Sequence, residues 1–395
     1  MTHPSPIVAR PATSADSRSS CGRRGRRRVA AMLKVVLLAM AAATAGTSAG
    51  AATSPDFAAV RAAHRPSDVQ VLDRHGEPLA SVRVDASARR GAWTALDDVS
   101  PALRTALVAG EDRRFWSHGG VDWIALAAAA WGRERGGAST LTMQLAALLD
   151  ERLARPAGGR GVGDKLGQIA AARALDARWR KRDILEAYLN VVPLRGELIG
   201  ITAAARQLFG KHPSGLDEAE SALLVALLRA PNATPPRVAE RGCGVLRAIA
   251  HMASAQMTST ATGGRPAPPP DCSALDLLAA DAFARRPGGD GTPALAPHLA
   301  RRVVAARATS TPTAAGGAPA DEAALRTTLD ASLQRIALAQ LRQQLAELQG
   351  HEVDDGAVLV LDNASGEVLA WVGSGGAGAA GEVDAVLARR QPGST

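Results

Sequence analysis

The chain has 395 residues, of which 46% are hydrophobic and 21% are charged. This is enough apolar material for two or three folded domains, which excludes a disordered polypeptide and a small disulfide-stapled scaffold. Residues 1–34 hold eight Arg or Lys and one Asp, so they supply +7 of the total net charge of +8. Because the basic character is confined to this segment, the body of the chain has no electrostatic signature of nucleic-acid binding.

Aromatic residues make up only 3% of the chain. The hydrophobic core must therefore be built mainly from Ala, Leu and Val, a composition that favours helices. We expect a mainly helical protein.

An uncharged apolar stretch, residues 35–52, follows the basic segment. About 18 to 20 apolar residues cross a bilayer as one helix, and positive charge stays on the cytoplasmic side. We therefore predict a basic cytoplasmic tail (1–34), a single-pass signal-anchor (35–52) in the inner membrane, and a periplasmic body. The alternative is a signal peptide cleaved near the small residues 49–51. Outside the cytoplasm, Cys243 and Cys272 are able to pair or to remain free thiols.

Two strand pairs and a long helical region follow in chain order. Residues 69–72 and 79–84 flank a Gly turn, and residues 356–361 and 367–372 flank a second turn, which predicts two hairpins. Residues 100–237 are helical in pattern, starting at Ser100 as N-cap. Proline- and glycine-rich patches at 256–270 and 306–319 indicate linkers. The predicted domains are 53–240, a linker at 241–292, and a different fold at 293–395.

Glu111 is the first candidate catalytic residue. It lies one turn after Leu107 on the predicted helix, so its carboxylate is in register with an apolar stripe, where partial desolvation makes a carboxylate a better proton acceptor. The positive charges of the neighbouring Arg113 and Arg114 would instead make this carboxylate a poorer proton acceptor. Taken alone, Glu111 is better explained as an acid at a solvated helix end, and it is the motifs around it that favour the catalytic interpretation.

Four motifs occur in order: E-D-x-x-F-x-x-H-x-G at 111–120, G-x-S-T-x-T-x-Q at 137–144, I-L-E-x-Y-L-N at 184–190, and F-G-K at 209–211. Together they closely resemble the family 51 peptidoglycan glycosyltransferases, which form the lysozyme-like helical domain of class A penicillin-binding proteins. The resemblance covers about residues 69–237, and Met143 with residues 165–168 is most similar to the 1C type. It implies a mainly α fold with an N-terminal anchor and an incomplete α/β transpeptidase start.

The resemblance also implies a reaction. The 4-hydroxyl of lipid II attacks the anomeric carbon of a growing glycan held on undecaprenyl pyrophosphate, with inversion, and Glu111 is the general base that takes the hydroxyl proton. Independently of the family, Ser139 is the predicted N-cap of a helix on which Thr140 and Gln144 share one face. The substrate-binding positions implied are Asp112, Phe115, His118, Ser139, Thr140, Gln144 and Lys165.

Two residues depart from the family pattern. Ala147 stands where relatives usually carry Lys or Arg, and Gln168 stands in place of a second catalytic glutamate. Glutamine forms hydrogen bonds but neither neutralises a metal charge nor donates an acidic proton. We interpret this as a modified donor site. The alternatives are a catalytically weak or inactive lipid II-binding scaffold and a lysozyme-like cleaving enzyme.

No metal site is predicted in the protein, although Mg²⁺ or Mn²⁺ is compatible with the pyrophosphate substrate; no tightly bound cofactor is expected. The expected partners are lipid II, the growing glycan, the membrane and other cell-wall synthesis proteins.

The C-terminal region is similar to the opening of a penicillin-binding transpeptidase domain. The resemblance rests on residues 329–334, the hairpin at 356–372, and Ser394, which corresponds to the nucleophile of an S-x-x-K motif. A serine without its lysine and oxyanion hole is an ordinary alcohol. We therefore expect neither transpeptidation nor β-lactam labelling by this chain, unless it is a fragment of a longer protein. We also expect an uncovered hairpin that is the least stable part.

Overall fold

The computed structural model describes residues 55–130, 139–153, 162–260, 269–285, 294–310, 324–348, 350–351, 353–376 and 383–389. The helices are α1 (Phe57–Ala63), α2 (Pro101–Glu111), α3 (Trp123–Ala130), α4 (Leu141–Leu149), α5 (Val162–Arg178), α6 (Lys181–Val191), α7 (Ile201–Phe209), α8 (Glu218–Arg229), α9 (Pro235–Thr260), α10 (Leu275–Ala284), α11 (Pro297–Ser310) and α12 (Ala331–Glu347). The strands are β1 (Asp68–Leu72), β2 (Pro78–Arg83), β3 (Arg89–Arg90), β4 (Leu198–Ile199), β5 (Ala324–Arg326), β6 (Val358–Leu361) and β7 (Val368–Val372). Helices dominate, as the composition predicts.

Helices α2 to α10 form what we call the helical body. Its core gathers buried side chains from Leu96 to Ala282. Helix α2 begins as predicted, with the Ser100 hydroxyl accepting a hydrogen bond from Ala102 N at 3.2 Å. Leu103 and Leu107, one turn apart, are both buried. The helix that begins after Ser100 runs for 11 residues and ends at Glu111.

The predicted linker at 241–292 is wrong over the residues that are described there. Helix α9 continues through residue 240 to Thr260, and Cys243, Val245 and Leu246 are buried in the body's core. Helix α10 packs against α9, and Cys243 forms a disulfide with Cys272. The apolar period of α9 therefore persists past the predicted boundary and outweighs the composition of the Pro-rich patch that follows.

A second core is built from segments far apart in the chain, which we call the strand unit (β1, β2, β5, β6, β7, α11 and α12). The first hairpin is confirmed: β1 pairs antiparallel with β2, from Asp68↔Arg83 to Leu72↔Pro78. Strand β1 also pairs in parallel with β5, giving the sheet order β2-β1-β5. The core beneath this sheet buries Val71, Leu79, Ala300, Leu329 and Trp371, among others. A hairpin predicted within residues 53–240 thus packs with residues beyond 293.

The second hairpin is also confirmed, with Val358 opposite Val372. The expectation that it is uncovered is wrong, because α12 packs along it and Ala370, Trp371 and Val372 are buried. Gln334 of α12 fastens the contact, donating from Nε2 to Trp371 O at 2.8 Å and accepting from Trp371 N at 2.7 Å. The outward-facing strand residues Leu359 and Leu361 are exposed.

Within the described ranges, no helix is long and apolar enough to cross a bilayer. The predicted tail (1–34) and signal-anchor (35–52), together with Ser394, lie outside those ranges. Their assignment remains a prediction, as does the assignment of residues 293–395 to the start of a transpeptidase domain.

Candidate active site

Glu111 ends helix α2, and its side chain is only 5% exposed. Its Oε1 accepts a hydrogen bond from Arg229 Nε at 2.7 Å. Arg229 is the last residue of α8 and also donates to Gly110 O at 2.9 Å. The carboxylate predicted as the base therefore lies in an ion pair with a cation from another helix.

The other oxygen of Glu111 faces a neutral network. Oε2 accepts from Gln144 Nε2 at 3.2 Å, and Gln144 Oε1 accepts from the Tyr188 hydroxyl at 2.8 Å. Burial, with the nearby negative charge of Glu111, raises the pKa of Tyr188 far above its usual value. The phenol therefore stays protonated at all working pH values and acts as a donor, which fixes the orientation of the Gln144 amide toward Glu111.

Asp112, the residue after Glu111, holds the loop that follows α2. Its carboxylate accepts from His118 Nε2 at 2.9 and 3.0 Å and from Leu141 N, at the start of α4, at 3.0 Å. Phe115 is fully buried and meets the His118 ring edge-on, with 6.2 Å between ring centroids. These three predicted residues brace the end of α2 against α4.

The N-cap of α4 is Thr140, so the prediction that Ser139 caps this helix is wrong. Thr140 Oγ1 accepts from Met143 N at 3.1 Å and donates to Gly120 O at 2.6 Å. Gly120 has φ +83°, and a Cβ there would lie 2.5 Å from Ala172 O, so the loop that Thr140 holds requires glycine. Adjacent Ser and Thr are both good caps, and sequence does not decide between them. Thr140 faces inward, and Ser139 remains partly exposed.

Lys165 and Gln168 lie on α5 and face different surroundings. Lys165 is exposed, whereas Gln168 is 1% exposed and donates from Nε2 to Met143 O at 3.0 Å, joining α5 to α4. Gln168 Oε1 and the Thr142 hydroxyl are buried with no hydrogen-bond partner among the described residues. A carboxylate could not make the Gln168 bond to Met143 O, because an ionised carboxylate has no donor.

The cation that pairs with Glu111 is not one of those expected from the sequence. Of the two expected arginines, Arg113 is exposed and Arg114 donates to Asp122 instead, with 2.8 Å between Nε and Oδ2. Arg229 is 118 positions from Glu111, and no local pattern connects the two residues. Tyr188 lies within a recognised motif, yet nothing in that motif states which residue it contacts.

Residues 75–250 match a family model described as transglycosylase. The chain is 41% identical over 154 residues to penicillin-binding protein 1C of Escherichia coli (strain K12), covering 37% of this chain and 19% of that protein. It is 40% identical over 174 residues to the biosynthetic peptidoglycan transglycosylase of Rhodospirillum centenum (strain ATCC 51521 / SW), covering 41% of this chain and 70% of that protein.

A crystal structure of penicillin-binding protein 1A from Haemophilus influenzae matches with a TM-score of 0.30 and 17% identity, over 76% of this chain and 32% of that one. A likeness this weak says nothing about function. The family match, in contrast, contains every side chain of the site, from Glu111 to Arg229. It also ends inside α9, past the boundary predicted at residue 240.

Proposed function

The chain belongs to the transglycosylase family, and on that premise we propose that it is a peptidoglycan glycosyltransferase that polymerises lipid II. The observation that carries the proposal is the placement of Glu111. Within the family-matched segment, this carboxylate is 5% exposed and is oriented by donors on both oxygens. A carboxylate shielded from bulk water and fixed in direction is suited to remove a proton from a weakly nucleophilic sugar hydroxyl.

Glu111 takes the proton of the 4-hydroxyl of lipid II while the hydroxyl oxygen forms a bond to the anomeric carbon of the glycan donor. The bond between that carbon and the diphosphate oxygen breaks, and its electron pair leaves with undecaprenyl diphosphate. Because attack and departure occur on opposite faces, the configuration at the anomeric carbon inverts. Glu111 then returns its proton to solvent.

The neighbouring residues have separate tasks. Gln144, oriented by Tyr188, fixes one oxygen of Glu111. Asp112 and His118 hold the loop beside the base, and the exposed Lys165 offers a positive charge to the diphosphate. Gln168 supplies neither an acid to the leaving group nor a carboxylate ligand to a cation, since it is neutral and its amide nitrogen is bonded to Met143. A divalent cation, Mg²⁺ or Mn²⁺, would accompany the diphosphate itself.

The proposal extends to location. The basic segment at 1–34 and the apolar stretch at 35–52 support attachment to the inner membrane, with the site facing the periplasm. The disulfide between Cys243 and Cys272 supports an oxidising compartment for the helical body. This arrangement brings the site to its lipid-linked substrate, to the growing glycan and to other cell-wall synthesis proteins.

The test is incubation of the detergent-solubilised full chain with labelled lipid II and Mg²⁺. We expect a ladder of glycan polymer. Binding without polymer would support the second candidate, a lipid II-holding scaffold, which Ala147 and the neutral Gln168 favour. Release of fragments from purified cell-wall sacculi, with no polymer from lipid II, would instead identify a cleaving enzyme.

A further inference from the structure

The two oxygens of Glu111 are held in unlike ways. Oε2 faces Gln144, which is anchored by the fully buried Tyr188. Oε1 faces Arg229, whose side chain is 44% exposed. One contact therefore belongs to the packed interior of the helical body, and the other is made by a side chain that reaches in from solvent.

This asymmetry matters for a general base. The Arg229 guanidinium, with its Nε 2.7 Å from Oε1, pairs with the carboxylate and fills an approach that an incoming hydroxyl needs. Oε2 is already directed at the Gln144 amide. For the acceptor hydroxyl to reach Glu111 in a productive direction, the contact that can be given up is the one with Arg229.

Arg229 can exchange its partner, because the bound donor brings a second anion close to it. It is the final residue of α8, and its hydrogen bonds are to Glu111 and to the backbone of Gly110. The donor carries its diphosphate on the same anomeric carbon that the hydroxyl attacks, so that anion arrives within about one sugar ring of Glu111. A guanidinium binds phosphate oxygens in a two-pronged geometry that a single carboxylate oxygen does not match.

The residue at position 147 of helix α4 also favours this movement of Arg229. Ala147 lies nearly one turn beyond Gln144 on α4, is 8% exposed and brings no charge to the site. A diphosphate beside Gln144 therefore receives no positive charge from position 147. Arg229 is the nearby cation, since it contacts Glu111, the same residue that Gln144 binds.

We propose that Arg229 is an exchangeable counter-ion, which pairs with Glu111 in the free enzyme and transfers to the diphosphate of the glycan donor when that donor binds. The transfer opens Oε1 of Glu111 to the acceptor hydroxyl and brings a positive charge to a diphosphate that receives none from Ala147. This inference rests on the proposed function and adds to it a link between donor binding and release of the base.

The test measures binding of fluorescent lipid II to the solubilised full chain, apart from turnover. Its 4-hydroxyl is blocked, so that it serves only as a donor, through the diphosphate on its anomeric carbon. Glu111→Gln removes the charge that competes for Arg229, so it should bind lipid II about 3-fold more tightly than the parent. Arg229→Gln should bind about 10-fold more weakly and raise KM, because a charge-assisted contact to phosphate is lost. The double variant should bind as weakly as Arg229→Gln, and Arg229→Lys should recover part of the affinity. An analogue with one phosphate should lose less affinity in Arg229→Gln than lipid II loses.

Arg237→Gln is the matched control, since it removes an exposed arginine from α9 that pairs only locally with Glu240. Thermal melts of each variant separate misfolding from weak binding. Parent-like affinity in both Glu111→Gln and Arg229→Gln, or a fall in kcat with unchanged KM in Arg229→Gln, would overturn the exchange and leave Arg229 as a fixed positioning residue. A parent chain that neither binds nor polymerises lipid II would refute the proposed function instead.

Discussion

The helical body and the strand unit achieve burial by different routes. The body's core comes from one stretch of chain, Leu96 to Ala282, in which neighbouring helices pack on one another. The strand unit joins Val71 and Leu79 to residues more than 200 positions later, ending at Trp371. The site lies wholly in the body. The site thus lies in the region built from one stretch of chain, although its own ion pair, Glu111 with Arg229, spans 118 positions. The contacts that span more than 200 positions lie in the strand unit.

Polar contacts connect the two regions. Glu197 of the body accepts from Arg83 Nη2 at 2.7 Å and from Arg89 Nε at 3.0 Å, beside the short β3–β4 pairing. The Glu197 side chain is 37% exposed. Ion pairs at this exposure contribute about 0–1 kcal/mol each, so we expect the strand unit to open without unfolding the site.

The largest expected effect is that of Glu111→Gln, which alters the body alone. The substitution removes the proton acceptor at nearly constant volume, and loss of a general base typically lowers the rate by ~10² to 10⁴-fold. Polymer formation from labelled lipid II measures the loss, and the melting temperatures of both regions should stay near the parent values. Activity within a few-fold of the parent would show that Glu111 is not the base.

Glu220→Gln is the control for that substitution. Glu220 is also a buried carboxylate of the body paired with a cation, Lys211, with 2.8 Å between Oε1 and Nζ. It closes the capping box of α8 with Asp217. We expect this variant to lose stability and keep its polymerisation rate at permissive temperature, which separates the loss of a buried charge from the loss of the base.

A matched pair of core truncations compares the two regions directly. Leu107 of the body and Leu79 of the strand unit are both 0% exposed. Leu→Ala at such positions costs about 2–5 kcal/mol. Leu107→Ala should abolish polymerisation near physiological temperature, whereas Leu79→Ala should lower an unfolding transition that leaves polymerisation intact. One cooperative transition, lowered equally by both changes, would show that the regions unfold together.

The difference between contacts that are local and contacts that are distant in sequence also explains which features the sequence could predict. The start of α2 at Ser100 and the position of Glu111 follow from a cap and a helical period, which are local signals. The pairing of β1 with β5 and the burial of Trp371 depend on contacts across some 250 to 300 residues, where no local pattern specifies the partner. Arg229 was missed for the same reason.

The error at the predicted linker has a different cause. Composition from 256 onward indicated a break, but the buried Val245 and Leu246 already continue the helical period of α9 past residue 240. The apolar periodicity predicted the extent of α9 better than the composition did, because a helix ends where its buried face ends. In the site, the hydroxyl of Thr140 was expected near substrate, yet its two hydrogen bonds hold the backbone of α4 and of the preceding loop.

Removing the disulfide should affect the body more than the strand unit. Cys243 and Cys272 are 29 positions apart and tie α9 to the start of α10. Closing a loop of this length stabilises by about 3.6 kcal/mol in the chain-entropy model. The Cys243→Ser, Cys272→Ser double variant should therefore melt earlier in the body, as followed by loss of helical circular dichroism. An unchanged melt, with or without reductant, would show that α10 is held by packing alone.

The smallest expected effect is a loss of stability at acidic pH that depends on Asp73, a buried carboxylate of the strand unit. Its Oδ1 accepts from His75 N and Glu77 N, and its Oδ2 accepts from Ala331 N at the start of α12. Burial raises the pKa of Asp73, but these backbone donors outweigh burial, so its pKa lies below the usual 3.8. A carboxyl group whose pKa is lowered by folding stabilises the fold above its unfolded pKa, and this stabilisation is lost as the pH falls through the folded value.

Asp73→Asn tests this contribution, since the amide keeps one acceptor oxygen and loses the charge. We expect the variant to be about 1 kcal/mol less stable than the parent at pH 6, the cost of weakened hydrogen bonds to a charged acceptor. The difference should shrink as the pH falls below the usual pKa of 3.8. The unfolded parent binds the proton first, and the folded parent loses the same bonds only when the pH passes through its lowered pKa. Denaturant unfolding at pH 6 and pH 3, followed through the strand unit, measures both quantities. A difference that stays constant across this range would mean that the charge of Asp73 contributes nothing and that only the shape of its side chain holds the hairpin to α12.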